Sequence, residues 1–281
     1  MKPKDHIHGL LDLRNHVACT SLDPVYYSLT VSYIVEHQGF ESIQLVPYTV
    51  LCDSVICVNA MTASVPLGWL SVTDQIDQFQ AAIRQNHTLM EILSRAPDLN
   101  IPNWYLASGC LFQTVWNVVT GQPPESGIAD YDLIYFDGTD LSWEAEDAII
   151  QRGQEIFAGL DAEVEIRNQA RVHLWYEAKF GTPCPRHRSS EGAIDTYHST
   201  ASCIGVRLRP DGTWHIYAPR GFSDMFNLVV RPNAVLVTAD VYQAKTARWT
   251  SHWPSLTILP WPEKGVLEIE HIQNATTVVS R

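Results

Sequence analysis

Apolar residues recur along this chain with two different periods, and the switches between them outline the fold. Between residues 74 and 97, Ile76, Phe79, Ile83, Met90 and Leu93 return at helical spacing with a break near Asn86, which predicts two consecutive helices. Residues 103–107 then read as a short strand, after which Ser108-Gly109 opens an amphipathic helix over 110–119. Leu133 to Phe136 are apolar on both faces, as in the interior of a sheet, whereas 162–167 alternate cleanly. Ser142 is placed to cap a helix running to about residue 157. Further helices are expected over 170–179 (closed by Gly181 and Pro183), 190–197 and 241–249, with a hairpin of 203–208 and 213–217 around Asp211-Gly212. The pattern predicts an α+β fold, a mixed β-sheet flanked by helices. Residues 1–72 show no clear period over any long window and are read as an extension, 73–260 as the domain and 261–281 as a tail.

The chemistry concentrates where strands meet turns. Asp130 and Asp132 stand two residues apart and lead into the apolar run Leu133 to Phe136, so in a strand their side chains share one face. Two like charges held together repel unless a cation lies between them, and hard oxygen ligands at this spacing suit Mg²⁺ or Mn²⁺. An Asp-x-Asp alone is equally a pair of solvated strand-end carboxylates. The neighbouring segments add weight to the metal reading. Upstream, Gly109 between a strand and a helix allows backbone N–H groups to approach a phosphate at the positive helix end. Downstream, Glu165 offers a third strand carboxylate. Cys110, at a helix start, has the position of a nucleophile, but no matched base or orienting acid accompanies it.

In this order, strand, glycine turn and helix, Asp-x-Asp strand, strand with a third acid, the chain resembles the polymerase-beta-like nucleotidyltransferase superfamily. More narrowly, Ala107 to Asn117, Asp130 to Asp137 and Val164 to Glu177 resemble the nucleotidyltransferase-like family 6, over roughly residues 74–260. The resemblance implies the nucleotidyltransferase fold and transfer of a nucleotidyl group from a nucleoside triphosphate to an acceptor it does not identify. It further implies that Asp130, Asp132 and Glu165 hold the metal, with Glu165 also able to take a proton. Ser108 and Gly109 would cradle phosphates, and Asn168 and His173, at the start of the segment after the third-acid strand, would contact the nucleotide. The glycine is followed here by Cys110 rather than the usual Gly or Ser, which leaves open a nucleotide-binding module without turnover. A metal-dependent glycosyltransferase is the other enzyme class that uses Asp-x-Asp.

Charge and composition narrow the partners. With 281 residues, 46% of them hydrophobic, the chain holds ample material for a core. A net charge of −12 argues against a broad nucleic-acid surface, although Lys179, Arg186, His187 and Arg188 make a local basic cluster. Six cysteines lie scattered without zinc spacing, which fits a reducing, cytoplasmic setting. The uncharged stretch 54–73 is too polar and too broken by Pro66 and Gly68 to read as a membrane span, so no membrane is expected.

Overall fold

The computed structural model describes residues 66–209 and 211–262, together with the strand segments 27–37, 40–50 and 276–280. The chain divides into two compact units, Met1–Ala63 and Ser64–Arg281. In the first, β1 (Tyr27–His37) pairs antiparallel with β2 (Phe40–Val50). Tyr27, Leu29, Val31, Tyr33 and Val35 alternate there with Ser28, Thr30 and Ser32, a period of two that is visible only over a short window. Most of 54–73, the stretch weighed as a membrane span, lies outside the described residues. Among the described residues no helix is long and apolar enough to cross a membrane.

The second unit runs α1 (Val72–Ile83), α2 (His87–Arg95), β3 (Tyr105–Ala107), α3 (Gly109–Thr120), β4 (Tyr131–Tyr135), α4 (Trp143–Ile156), β5 (Val164–Asn168), α5 (Tyr176–Phe180), α6 (Ser190–Ile194), β6 (Gly205–Leu208), β7 (Trp214–Ala218), α7 (Ser223–Phe226), β8 (Val229–Val230), α8 (Ala239–His252), β9 (Thr257–Ile258) and β10 (Thr276–Ser280). Side chains cap the helices where the sequence places them. Asn86 Oδ1 accepts the Leu89 N–H at 2.8 Å and Ser142 Oγ the Ala145 N–H at 3.2 Å, each satisfying a first-turn amide.

The main sheet has the order β10-β7-β6-β3-β4-β5, antiparallel throughout except for the parallel pair β4–β5. Strand alternation gives it two unlike faces. Leu106, Tyr131, Leu133, Tyr135, Ile166 and Val206 belong to a large core shared with α1, α2, α3, α7 and α8. Gly153 lets α4 approach that core closely, since a Cβ there would collide with Ile166. The opposite face carries a small cluster of Tyr105, Ala107, Ile134, Ile194, Cys203 and Tyr217, to which α6 contributes.

Three segments differ from the sequence expectation. The helix expected over 170–179 is a 3₁₀ turn, Val172–Leu174, followed by α5, with Trp175 between them at φ −129°. Tertiary anchoring overrides local propensity there: Arg171 forms a buried ion pair with Glu146 of α4 and donates to the Leu141 carbonyl at 3.0 Å. Residues 276–280, read as tail, add the edge strand β10. The end of the 1–72 stretch also packs with the second unit, because Gly68 is buried and its carbonyl accepts from Gln75 Nε2 at 2.9 Å.

Candidate active site

The site forms where β3 ends, α3 begins and β4 and β5 start side by side. Asp132 stands opposite Ala107 on β3 and opposite Glu165 on the parallel strand β5. In-register neighbours share a face, so the alternation that buries Leu133 and Ile166 in the core turns Asp132 and Glu165 together toward the other side. Asp130, immediately before the strand, joins them. Burial, with the Asp130 and Glu165 charges adding repulsion, pushes the Asp132 carboxyl up to about 7. Glu165 in turn has Arg167, two residues along the same strand face, at 3.5 Å.

Ser108 and Gly109 form the strand-to-helix turn beside this group. Ser108, not the glycine, takes the left-handed backbone at φ 57°, where a side chain is strained. Its N–H donates to the Ile204 carbonyl at 2.9 Å, which holds the turn. Gly109 is the first residue of α3, and a Cβ there would lie 4.0 Å from Asp130 Oδ1 and 3.3 Å from Gln113 Nε2. Its missing side chain leaves room between the helix start and the carboxylate. The Leu111 N–H already donates to the Ser108 carbonyl at 3.0 Å, so it is the Gly109 and Cys110 N–H groups at the helix start that present positive partial charge near the acids.

Asn168 and His173 are not brought to this cluster. Asn168 alternates onto the core face of β5 and is buried. Its Oδ1 accepts the Asp137 and Ala170 N–H groups at 3.1 Å and its Nδ2 donates to the Asp137 carbonyl at 2.9 Å, which clips the exits of β4 and β5 together. His173 lies in the 3₁₀ turn with both ring nitrogens buried and without a hydrogen-bond partner. It lies near His187 in the loop before α6, whose imidazole is lowered below its usual range chiefly by burial. Cys110 is buried, and its thiol is raised well above its usual range by burial and by Asp132 and Asp130, so it is a packed, unreactive group.

One residue near the acids was missed by sequence reasoning. Lys245 of α8 is partly buried and close enough to Asp132 and Asp130 to feel both charges, while its own ammonium is lowered by burial and by Arg248. The available sign was a lysine between Tyr242, Thr246 and Trp249, which form the buried stripe of its helix.

The donor set is hard oxygen, which fits Mg²⁺ or Mn²⁺. Among the described residues no three His, Cys, Asp or Glu side chains form a ready-made metal site. Mg²⁺ is ordinarily held by one or two carboxylates and completed by water and substrate phosphates, so a pair of carboxylates beside an open helix start is a sufficient protein share.

A profile described as nucleotidyltransferase matches residues 94–258, more than half of the chain. The chain belongs to the nucleotidyltransferase family. A solved structure resembles this nucleotidyltransferase over 65% of the present chain and 95% of its own, at 25% identity and a TM-score of 0.54. It is described as an NMR structure that reveals a CCA-adding enzyme head domain. No curated protein matches the chain. Fold and family together make nucleotidyl transfer the general activity, carried on a mixed sheet flanked by helices.

Proposed function

We propose that the protein transfers a nucleotidyl group from a nucleoside triphosphate to a hydroxyl acceptor, using Asp130, Asp132 and Glu165 as its metal site. The observation that carries this reading is the register that sets Asp132 beside Glu165, with Asp130 at the strand start; burial and these two charges push the Asp132 carboxyl up. Such an arrangement is unfavourable on its own and becomes favourable when a cation neutralises it.

When bound, Mg²⁺ or Mn²⁺ would neutralise the triphosphate and lower the pKa of the acceptor hydroxyl. Asp130 and Asp132 would hold it, with Glu165 sharing the acceptor side. The Ser108 hydroxyl and the Gly109 N–H at the start of α3 would cradle phosphate oxygens, and the space left by Gly109 admits them beside Asp130. The acceptor oxygen forms its bond to the α-phosphorus as the bond to the β-phosphate oxygen breaks. Pyrophosphate leaves with that electron pair, and the acceptor proton passes to the Glu165 carboxylate. Arg167, 3.5 Å from Glu165, would orient that carboxylate. Asn168 would act by holding the exit of β4.

The pairing of Glu165 with Arg167 and the strained serine turn also suit a nucleotide-binding module without turnover. The glycosyltransferase reading draws no support from the family or from the structural neighbour.

A thermal-shift screen of the four common nucleoside triphosphates, with and without Mg²⁺ or Mn²⁺, tests the proposal. One of them should raise the melting temperature only with metal, by an amount equivalent to about 2.7 kcal/mol at a hundred-fold excess over Kd. No metal-dependent stabilisation by any of the four would end this reading. Stabilisation without pyrophosphate release across a broad acceptor panel would favour the binding module.

A further inference from the structure

The basic cluster after β5 has no place in the function proposed above. Residues 172–190 hold Lys179, Arg186 and Arg188 against a single acid, Glu177, in a chain that otherwise carries an excess of acids. All three cations are exposed, and among the described residues none forms an ion pair. They share the segment with a group of rings. Trp175, Tyr176 and Phe180 lie 4.6–6.5 Å apart, centroid to centroid, and Lys179 Nζ stands 5.6 Å from the Trp175 ring and 5.3 Å from that of Phe180. These rings are half-buried, and Leu174 beside them is 55% exposed.

The loop after α5 folds back onto this segment. Burial, with Cys184 close by, raises the Tyr176 phenol, and His187 lies near His173 of the 3₁₀ turn. Arg186 and Arg188, on either side of His187, are thereby brought to the rings. The same segment borders the acids. Lys179 and Lys245 are close enough for their charges to act on each other, and Lys245 in turn feels Asp132 and Asp130. Half-buried rings and unpaired cations thus form a ledge beside the carboxylates.

We infer that this ledge binds a single-stranded nucleic acid whose terminal 3′-hydroxyl is the acceptor. Cations neutralise its phosphodiesters and aromatic faces stack its bases, whereas an acidic peptide would use the charges alone. A five-residue helix and one loop span a few nucleotides, not the length of a duplex site. The net charge of −12 disfavours contact with a polyanion elsewhere on the chain, so the ledge selects where the strand docks. The 3′ oxygen then bonds to the α-phosphorus, pyrophosphate leaves with the electron pair of the broken bond, and the proton passes to Glu165. The strand gains one nucleotide.

This inference rests on the nucleotidyl-transfer reading, and strand binding measured apart from triphosphate binding separates their failures. Fluorescence anisotropy on the full chain should show binding of labelled single-stranded oligoribonucleotides or oligodeoxynucleotides about ten residues long. Lys179→Gln, Arg186→Gln and Arg188→Gln combined, all at exposed positions, should weaken it at least about ten-fold and reduce the slope of log affinity against log salt by about 2. Trp175→Ala should weaken it by about ten-fold, and Trp175→Phe should largely retain it. With Mg²⁺ and nucleoside triphosphates the bound strand should lengthen, whereas one lacking its 3′-hydroxyl should bind equally and stay unchanged. A wild type that binds no single strand, or whose affinity survives the three glutamines, would overturn the inference. Equal competition by polyglutamate would overturn it too. So would a bound strand that stays unextended while a triphosphate still raises the melting temperature with metal, and that result leaves nucleotidyl transfer standing. No stabilisation by any triphosphate would end the transfer reading and, with it, the acceptor role of the strand.

Discussion

The two faces of the central sheet, built from the same strands, are opposites in what they gather, apolar rings on one and like charges on the other. On the core face, Phe112, Trp116, Trp249 and Trp253 interlock edge to face with ring centroids 4.6–5.6 Å apart. Trp253 Nε1 donates to Asn117 Oδ1 at 2.8 Å, while Trp116 Nε1 and Trp249 Nε1 are buried in the layer without a hydrogen-bond partner. On the other face, the same β4 presents Asp132 to two further carboxylates, and the Glu165–Arg167 contact is long at 3.5 Å. The core face stabilises the domain through close packing. The acid-bearing face stores electrostatic repulsion that a cation and a phosphate chain can relieve. Alternation along one strand of five residues is enough to separate stability from chemistry.

The sharpest way to break this contrast is Asp132→Asn. It should lower metal-dependent pyrophosphate release by about 10³–10⁴-fold, or roughly 4–5.5 kcal/mol of transition-state stabilisation, while urea unfolding without metal shows equal or greater stability. Wild-type release rates in the variant would show the carboxylate to be structural. On the core face the effects should be reversed. Trp116→Ala should lower unfolding free energy by about 3–5 kcal/mol and leave Mg²⁺-nucleotide affinity of the folded fraction unchanged. A loss below about 1 kcal/mol would mean that the aromatic layer collapses into the cavity and contributes little.

The pH dependence of stability is a finer probe of the acid-bearing face. The Asp132 carboxyl binds its proton more tightly in the folded chain, at about 7, than at its ordinary value of 3.8. Metal-free stability should therefore fall as pH rises from about 4 to about 7, by about 1.4 kcal/mol for each pH unit crossed and a few kcal/mol in all, and then level off. Asp132→Asn should flatten that slope. A wild type whose stability is constant across the window would show that burial and repulsion do not act on this group.

Much of the fold was legible because its signals are local. The helix caps at Asn86 and Ser142, the break between α1 and α2, the β6–β7 hairpin and the alternation around Glu165 each depend on a few consecutive residues. Order of motifs was also enough to suggest the family. The segment after β5 was misread because Arg171 is tied to Glu146, twenty-five residues away, a contact that no helical period announces. Asn168 was read as a ligand contact on the strength of its motif, whereas its strand parity places it on the core face.

By itself the sequence determined which residues alternate and which recur by turns, and so which carboxylates share a face and where a helix start follows a strand. Those are properties of backbone geometry, which short-range chain order dictates. Only the tertiary structure decided that Asp132 lies in register with Glu165, that Ser108 rather than Gly109 takes the strained backbone, and that Lys245 comes within reach of the charges of Asp132 and Asp130. Each of these depends on how elements distant in the chain pack. Electrostatic energies follow distance in space, so the charge balance of the site is set by that packing and not by spacing along the chain.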